Sequence, residues 1–175
     1  IPSFRSFVRY VANVYSCPAD IASIDRAMTD QLKNPRKYMS DILQRENIVK
    51  VVLDLFGETT ISDLFPAEKA VWVYRIDKMI QPSWPKEKGY ESLGQVLENL
   101  LEALHTAVKK GCVGFKSTIA YSRSLELSQV SREQAEEALG KLLSSGGLNT
   151  TALITYQDFL LRRILMEAGE VDVPF

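Results

Sequence analysis

Histidine is nearly missing: His105 is the one example in 175 residues. A three-histidine zinc site, or any centre that needs two imidazoles, cannot be assembled from these residues alone. Cysteine is almost as scarce. Cys17 and Cys112 lie far apart and form no C-x-x-C pair, which excludes a zinc ribbon and argues against a disulfide framework. That usage fits a reducing, cytoplasmic compartment. Charge of one sign is lacking too. Twenty-one basic against 22 acidic side chains leave a formal net charge of −1, so no electrostatic excess points to nucleic acid or to a membrane surface as partner. No apolar run approaches the ~18–20 residues that span a bilayer, and the opening residues carry no secretory-signal pattern. There is no G-x-S-x-G, and a Ser-His-Asp triad has no support where the histidine falls within a helical pattern. Repeats and low-complexity segments are absent as well.

What remains is an average globular mixture, 46% hydrophobic and 25% charged, organised in two styles. Residues 1–47 read as helices. Phe4, Phe7, Val8, Val11 and Val14 fall at helical spacing. Ile21, Ile24 and Met28 share one side of a second stretch after Pro18, which Asn34-Pro35 breaks. Tyr38, Met39, Ile42 and Leu43 face inward from a third. The basic cluster Lys33, Arg36 and Lys37 flanks a turn and reads as solvated surface.

From Ile48 the pattern changes. Ile48 to Phe56 is β-branched and almost continuously apolar, as suits a strand buried on both faces, and Gly57 ends it. Ala70 to Asp77 is a second strand candidate, and residues 61–69 between them leave room for only a short helix. Gln81 to Tyr90 reads as a polar Pro/Trp loop. An apolar stripe of Leu93, Val96, Leu97, Leu100, Leu101, Leu104 and Val108 predicts a helix over 92–110, closed by Gly111. Cys112 to Tyr121 is the third strand candidate. Ser131 and Gln134 form a capping box opening a helix to about Leu143. A last helix spans about 151–168, and Val171 to Phe175 looks like the approach to a fourth strand. Strand and helix alternate, which points to α/β architecture with parallel strand order.

In such architectures ligands gather at the C-terminal strand ends. Each strand candidate offers a polar residue there. Asp54 on the first reads equally as a site carboxylate or as a cap for the turn before Gly57. Arg75 on the second suits a bidentate clamp on a substrate carboxylate, or a structural ion pair with Asp54 or Asp77. Lys116 on the third is the most informative. A desolvated lysine can lose its charge and act as base, nucleophile or carbamate. From spacing alone, a strand-end lysine paired with a carboxylate is the commoner outcome. His105 reads as a helix-surface or core-edge residue, and Cys112 as an inert core thiol.

One stretch is more specific. Gly114-Phe115-Lys116-Ser117-Thr118-Ile119-Ala120-Tyr121, followed by Leu125-Glu126-Leu127, resembles the "GFKS-IAAYR-GL" segment of the amidohydrolase-related proteins, metal-dependent TIM-barrel hydrolases. It is most similar to the amidohydrolase domain fused to glutamine synthetase in fungal and plant proteins. Ser3 to Phe7 with Val14 to Cys17 resembles the "SFKRSL…LYGC" helix, Ile48 to Asp54 the second strand, Tyr74 to Asp77 the third, and Val171 to Phe175 the lead-in to the "Q-I-H-T-G" fifth strand. Ser122-Arg123-Ser124 departs from the pattern, which has Arg directly after Tyr.

The resemblance implies a partial (β/α) TIM-type barrel, about strands 2–4, over residues 48–175, preceded by a helical insertion over 1–47. Both would be part of a longer protein, since a full barrel takes about 250 residues. It implies a hydrolase in which a divalent metal, zinc by expectation, activates water against a carbonyl-type carbon of a small-molecule substrate. Lys116 matches the carboxylated, metal-bridging lysine, with Asp54 and Arg75 as the accompanying catalytic candidates. The H-x-H and later histidines of the pattern are not among these residues, so the 175-residue chain is expected to bind metal weakly or not at all and to be inactive alone. Open strand edges would invite pairing with another copy or with the remaining barrel portion. The competing expectation is a non-catalytic α/β interaction module.

Overall fold

The computed structural model describes residues 2–55, 64–144 and 149–175. Two compact units divide the chain: Ile1–Val51 with Thr59–Ala70, and Val52–Glu58 with Val71–Phe175. Among the described residues no helix is long and apolar enough to cross a membrane.

The first unit carries α1 (Pro2–Val14), α2 (Ile21–Leu32) and α3 (Pro35–Arg45). Local chemistry sets the starts of the second and third. The Asp20 carboxylate accepts from the Ser23 amide at 2.9 Å, and Asn34 caps Lys37 at 3.1 Å with Pro35 in the first turn. Ala12 and Leu43 are buried. The Tyr15 and Tyr38 rings stack, and their hydroxyls bond each other, which pushes the Tyr15 phenol up to about 12. The apolar side of α2 stays in contact with solvent. The helix has no buried residue, and Ile21 and Met28 are exposed.

The second unit holds the sheet and the main core. Strands β1 (Val51–Leu55), β2 (Ala70–Arg75) and β3 (Cys112–Lys116) lie in the order β1-β2-β3. Strands β2 and β3 are parallel, pairing Trp72 with Cys112, Tyr74 with Phe115 and Arg75 with Lys116. The connection between them carries α4 (Ser83–Lys88) and α5 (Leu93–Lys109), which makes a βαβ unit. Helices α6 (Arg132–Ser144) and α7 (Thr150–Glu170) pack on each other and on α5. The α5 stripe is deeply buried at Leu93, Val96, Leu100 and Leu104, and meets Ile76, Ile80, Phe115, Leu139, Leu160 and Ile164. Capping boxes start α5 (Ser92 and Gln95) and α6 (Ser131 and Gln134).

Four expectations shift. The run from Ile48 yields only a five-residue strand, and Val52 is exposed while Leu53 is buried, so β1 is not covered on both faces; Phe56, Gly57 and residues 61–63 lie outside the described residues, and residues 64–69 hold turns with no α-helix. The Pro/Trp loop contains α4, because Pro85 falls in a first turn, whose amides have no intrahelical acceptor, and buries with Trp84 against Tyr90. Left-handed Gly89, at φ 70°, ends it. Strand β3 stops at Lys116, since Asp77 captures the amide and hydroxyl of Thr118, and residues 119–121 turn into a 3₁₀ helix.

Residues 171–175 form no strand, but the Phe115 amide donates to the Pro174 carbonyl at 2.8 Å. The segment thus meets β3 through Phe115. Gly114 permits this approach. A Cβ there would sit 3.1 Å from the Pro174 oxygen and 3.2 Å from its Cγ. Gly114→Val is therefore expected to push the segment off. Hydrogen exchange at the Phe115 amide should then accelerate by about 10-fold or more; unchanged protection would disprove the close approach.

Candidate functional site at the strand ends

Three adjacent strands deliver Asp54, Arg75 and Lys116 to one cluster. Parallel register sets Arg75 beside Lys116, and neighbouring strands are about 4.8 Å apart. Two cations so close need an anion between them, and Asp54 supplies it. Arg75 binds Asp54 bidentately, Nε to Oδ1 at 3.0 Å and Nη2 to Oδ2. Lys116 Nζ reaches across β2 to the same Oδ2 at 2.6 Å. The side chains of Arg75 and Asp54 are 16% and 24% exposed, whereas that of Lys116 is 43% exposed. Lys116 is paired at the rim, not sequestered from water. Arg75 hydrogen bonding, ahead of the opposing effect of burial and the added help of Lys116, holds the Asp54 carboxyl below its ordinary 3.8. The same pair raises Arg75.

Asp77, two residues beyond Arg75, braces the rim from below. Its Oδ1 accepts from Ser117 Oγ at 3.1 Å, the Thr118 amide at 2.8 Å and Thr118 Oγ1 at 3.0 Å. Its Oδ2 is buried without a hydrogen-bond partner among the described residues. Tyr121 stands 92% exposed on the following turn. Ser117, Thr118 and Tyr121 were not singled out by the sequence; hydroxyl residues directly after a strand-end lysine were the available signal.

Two further buried carboxylates went unread because they interrupt the apolar face of α7. Asp158 is 1% exposed and accepts from Arg123 Nη2 at 2.5 Å and from the Ser128 amide at 2.9 Å. Arg123 thereby ties the segment after β3 to α7. Glu167 is also buried, with Arg163 at 3.6 Å and His105 Nε2 at 2.5 Å. His105 is thus a core-edge partner on α5. Cys112 is buried, its thiol donating to the Gly114 carbonyl at 2.9 Å.

The donor set at the strand ends does not fit a divalent metal. Among the described residues no three His, Cys, Asp or Glu side chains come together to hold an ion. The carboxylate nearest Lys116 is already neutralised by a guanidinium, and a carbamate on Lys116 would place a second anion against Asp54. A metal at this position would need ligands from elsewhere. After dialysis, plasma emission analysis of the 175-residue chain should find zinc far below one ion per chain; a stoichiometric, tightly held ion would overturn this reading.

The Asp54 shift carries a pH signature. A depressed folded-state value contributes stability that is complete above the unfolded value and is lost as pH falls through the folded one. Asp54→Asn should lower the urea midpoint at pH 7, and the gap to the parent chain should narrow below about pH 4. A gap that is constant from pH 7 to pH 3 would contradict the ion-pair assignment.

Against solved structures, the chain is similar to uronate isomerase from Thermotoga maritima, with a TM-score of 0.62 over 93% of this chain, at 13% identity. The likeness is one of fold, and with the three-stranded sheet it fits a partial TIM-type barrel. This chain spans about two-fifths of that enzyme, 40% of its length. No family model matches, and no curated protein matches.

Proposed function

We propose that this chain is the strand-two-to-strand-four portion of an amidohydrolase-type barrel hydrolase acting on a small molecule at a carbonyl-type carbon, and that Asp54, Arg75 and Lys116 line its substrate end. One observation carries this reading. Three consecutive strands bring chemically active side chains to a single cluster at their C-terminal ends, where barrel enzymes place their sites. The fold neighbour, by its name an isomerase of uronates, supports the architecture. The divalent metal of such hydrolases, zinc by expectation, would take its ligands from outside the described residues.

The chain's own residues have definable tasks. Asp54 holds the guanidinium of Arg75 in plane with its carboxylate, so the two cations are oriented before a substrate arrives. Lys116, at the exposed rim, faces the incoming molecule. Asp77 fixes the backbone that follows Lys116. The other reading is a non-catalytic α/β module that pairs with a second copy or with the rest of a barrel. It is favoured by the closed ion pairing of Asp54, which leaves that carboxylate no proton to transfer at neutral pH.

The coding sequence on either side separates the two readings. An H-x-H strand upstream and a histidine-bearing strand downstream are expected for the hydrolase. In the protein so encoded, Arg75→Met should lower kcat/KM by about 100-fold or more, and chelation should abolish turnover. Missing histidine strands, or full turnover in Arg75→Met, would defeat the proposal.

A further inference from the structure

We propose that α1 and α2 form the contact between two copies of this chain, the exposed stripe of α2 on each copy seating in the groove between α1 and α2 of the other. The inference goes beyond the strand-end reading and draws on neither the strand ends nor the sheet edges.

Uncovered apolar surface and unmatched charge carry the argument. Among the described residues of α1 and α2 only Ala12 is buried. A groove of about 510 Å³ opens between α1 and the start of α2, lined by Phe4, Val8 and Ile21 and by Arg5, Arg9 and Asp20. Phe4 is 53% exposed and Ile21 66%, so the groove lies open to water. On α2, Ile21, Asp25, Met28 and Leu32 recur at i, i+4, i+7 and i+11, which sets them in one stripe. All four are exposed. Once that stripe is covered, its carboxylate needs a cation. Asp30 is already taken by Lys33 at 2.6 Å, and the Asp20 carboxylate is spent on the Ser23 amide. The Asp25 carboxylate has no ion-pair or hydrogen-bond partner among the described residues, and neither the Arg5 nor the Arg9 guanidinium has one. The basic groove and the acidic stripe are thus two halves of one contact, carried on the same chain. A twofold axis forms that contact twice, with Asp25 of each copy against Arg5 or Arg9 of the other. An anionic lipid surface would suit the arginines but would repel Asp20 and Asp25 beside them.

Sedimentation velocity on the 175-residue chain tests this. The parent chain should be a dimer with Kd in the micromolar range, since the patch falls at the small end of specific interfaces. Asp25→Arg should weaken the dimer by about 10-fold or more, and so should Arg5→Asp combined with Arg9→Asp, because each change sets like charges against one another. The chain carrying all three exchanges should recover most of the lost affinity, since the attraction returns with its signs reversed. All three positions are exposed, so the circular dichroism of every variant should match the parent. Vesicles of phosphatidylserine and phosphatidylcholine should not carry the chain down with them. A parent chain that stays monomeric at about 100 μM, a dimer indifferent to Asp25→Arg, weakened pairing with no recovery in the combined variant, or a monomer that binds the vesicles would each overturn the inference.

Discussion

Parallel pairing of β2 with β3 sets Arg75 beside Lys116, and two like charges at that spacing are unfavourable unless a carboxylate stands between them. Everything at the strand ends follows from that constraint. Asp54 must come from β1, because the sheet order leaves β1 as the other neighbour of Arg75. The lysine must stretch over the central strand to share the same oxygen. The arrangement links three strands by side chains as well as by backbone. The cluster is held in place by its own ion pairs.

Behind the cluster, the apolar core has a different task. The α5 stripe with α6 and α7 buries the face that fixes strand positions, and a rigid scaffold of this type holds a polar rim to sub-ångström tolerances. The buried charges of α7 extend that scaffolding outward. Asp158 binds a guanidinium and a backbone amide from the segment after β3. The loop carrying Tyr121 is therefore anchored at both ends, by Asp77 at its start and by Asp158 further on.

How much of this was legible in the residues depended on whether the signal was local. The α5 stripe, the Ser131 capping box and the Gly111 stop are encoded within one or two turns, and the helices appear where the spacing puts them. The resemblance around Gly114-Phe115-Lys116-Ser117 put a polar residue at the end of the third strand. What spacing could not supply was partner choice. Spacing favoured a carboxylate-paired Lys116 over a desolvated amine but could not name the carboxylate, which β1, 62 positions away, brings to 2.6 Å. The truncation of β3 had the same origin, since Asp77 is remote in sequence from the Thr118 it captures. Helix α2 appears where its spacing puts it but is a different case. Its apolar periodicity is genuine, yet a periodic face states only that a helix can be buried, not that anything covers it.

The contact between Phe115 and Pro174 bears on the colloidal behaviour of the sheet. An uncovered strand flank is a template on which foreign chains can add, and organisms blunt such flanks with proline or with crowding. Here one amide of β3 is already engaged by a carbonyl whose own residue has no N–H to offer in return. The pyrrolidine ring lies over Gly114, where no side chain competes for the space. The hydrogen-bonding rung at Phe115 is therefore already occupied, which disfavours addition of a foreign strand at that point.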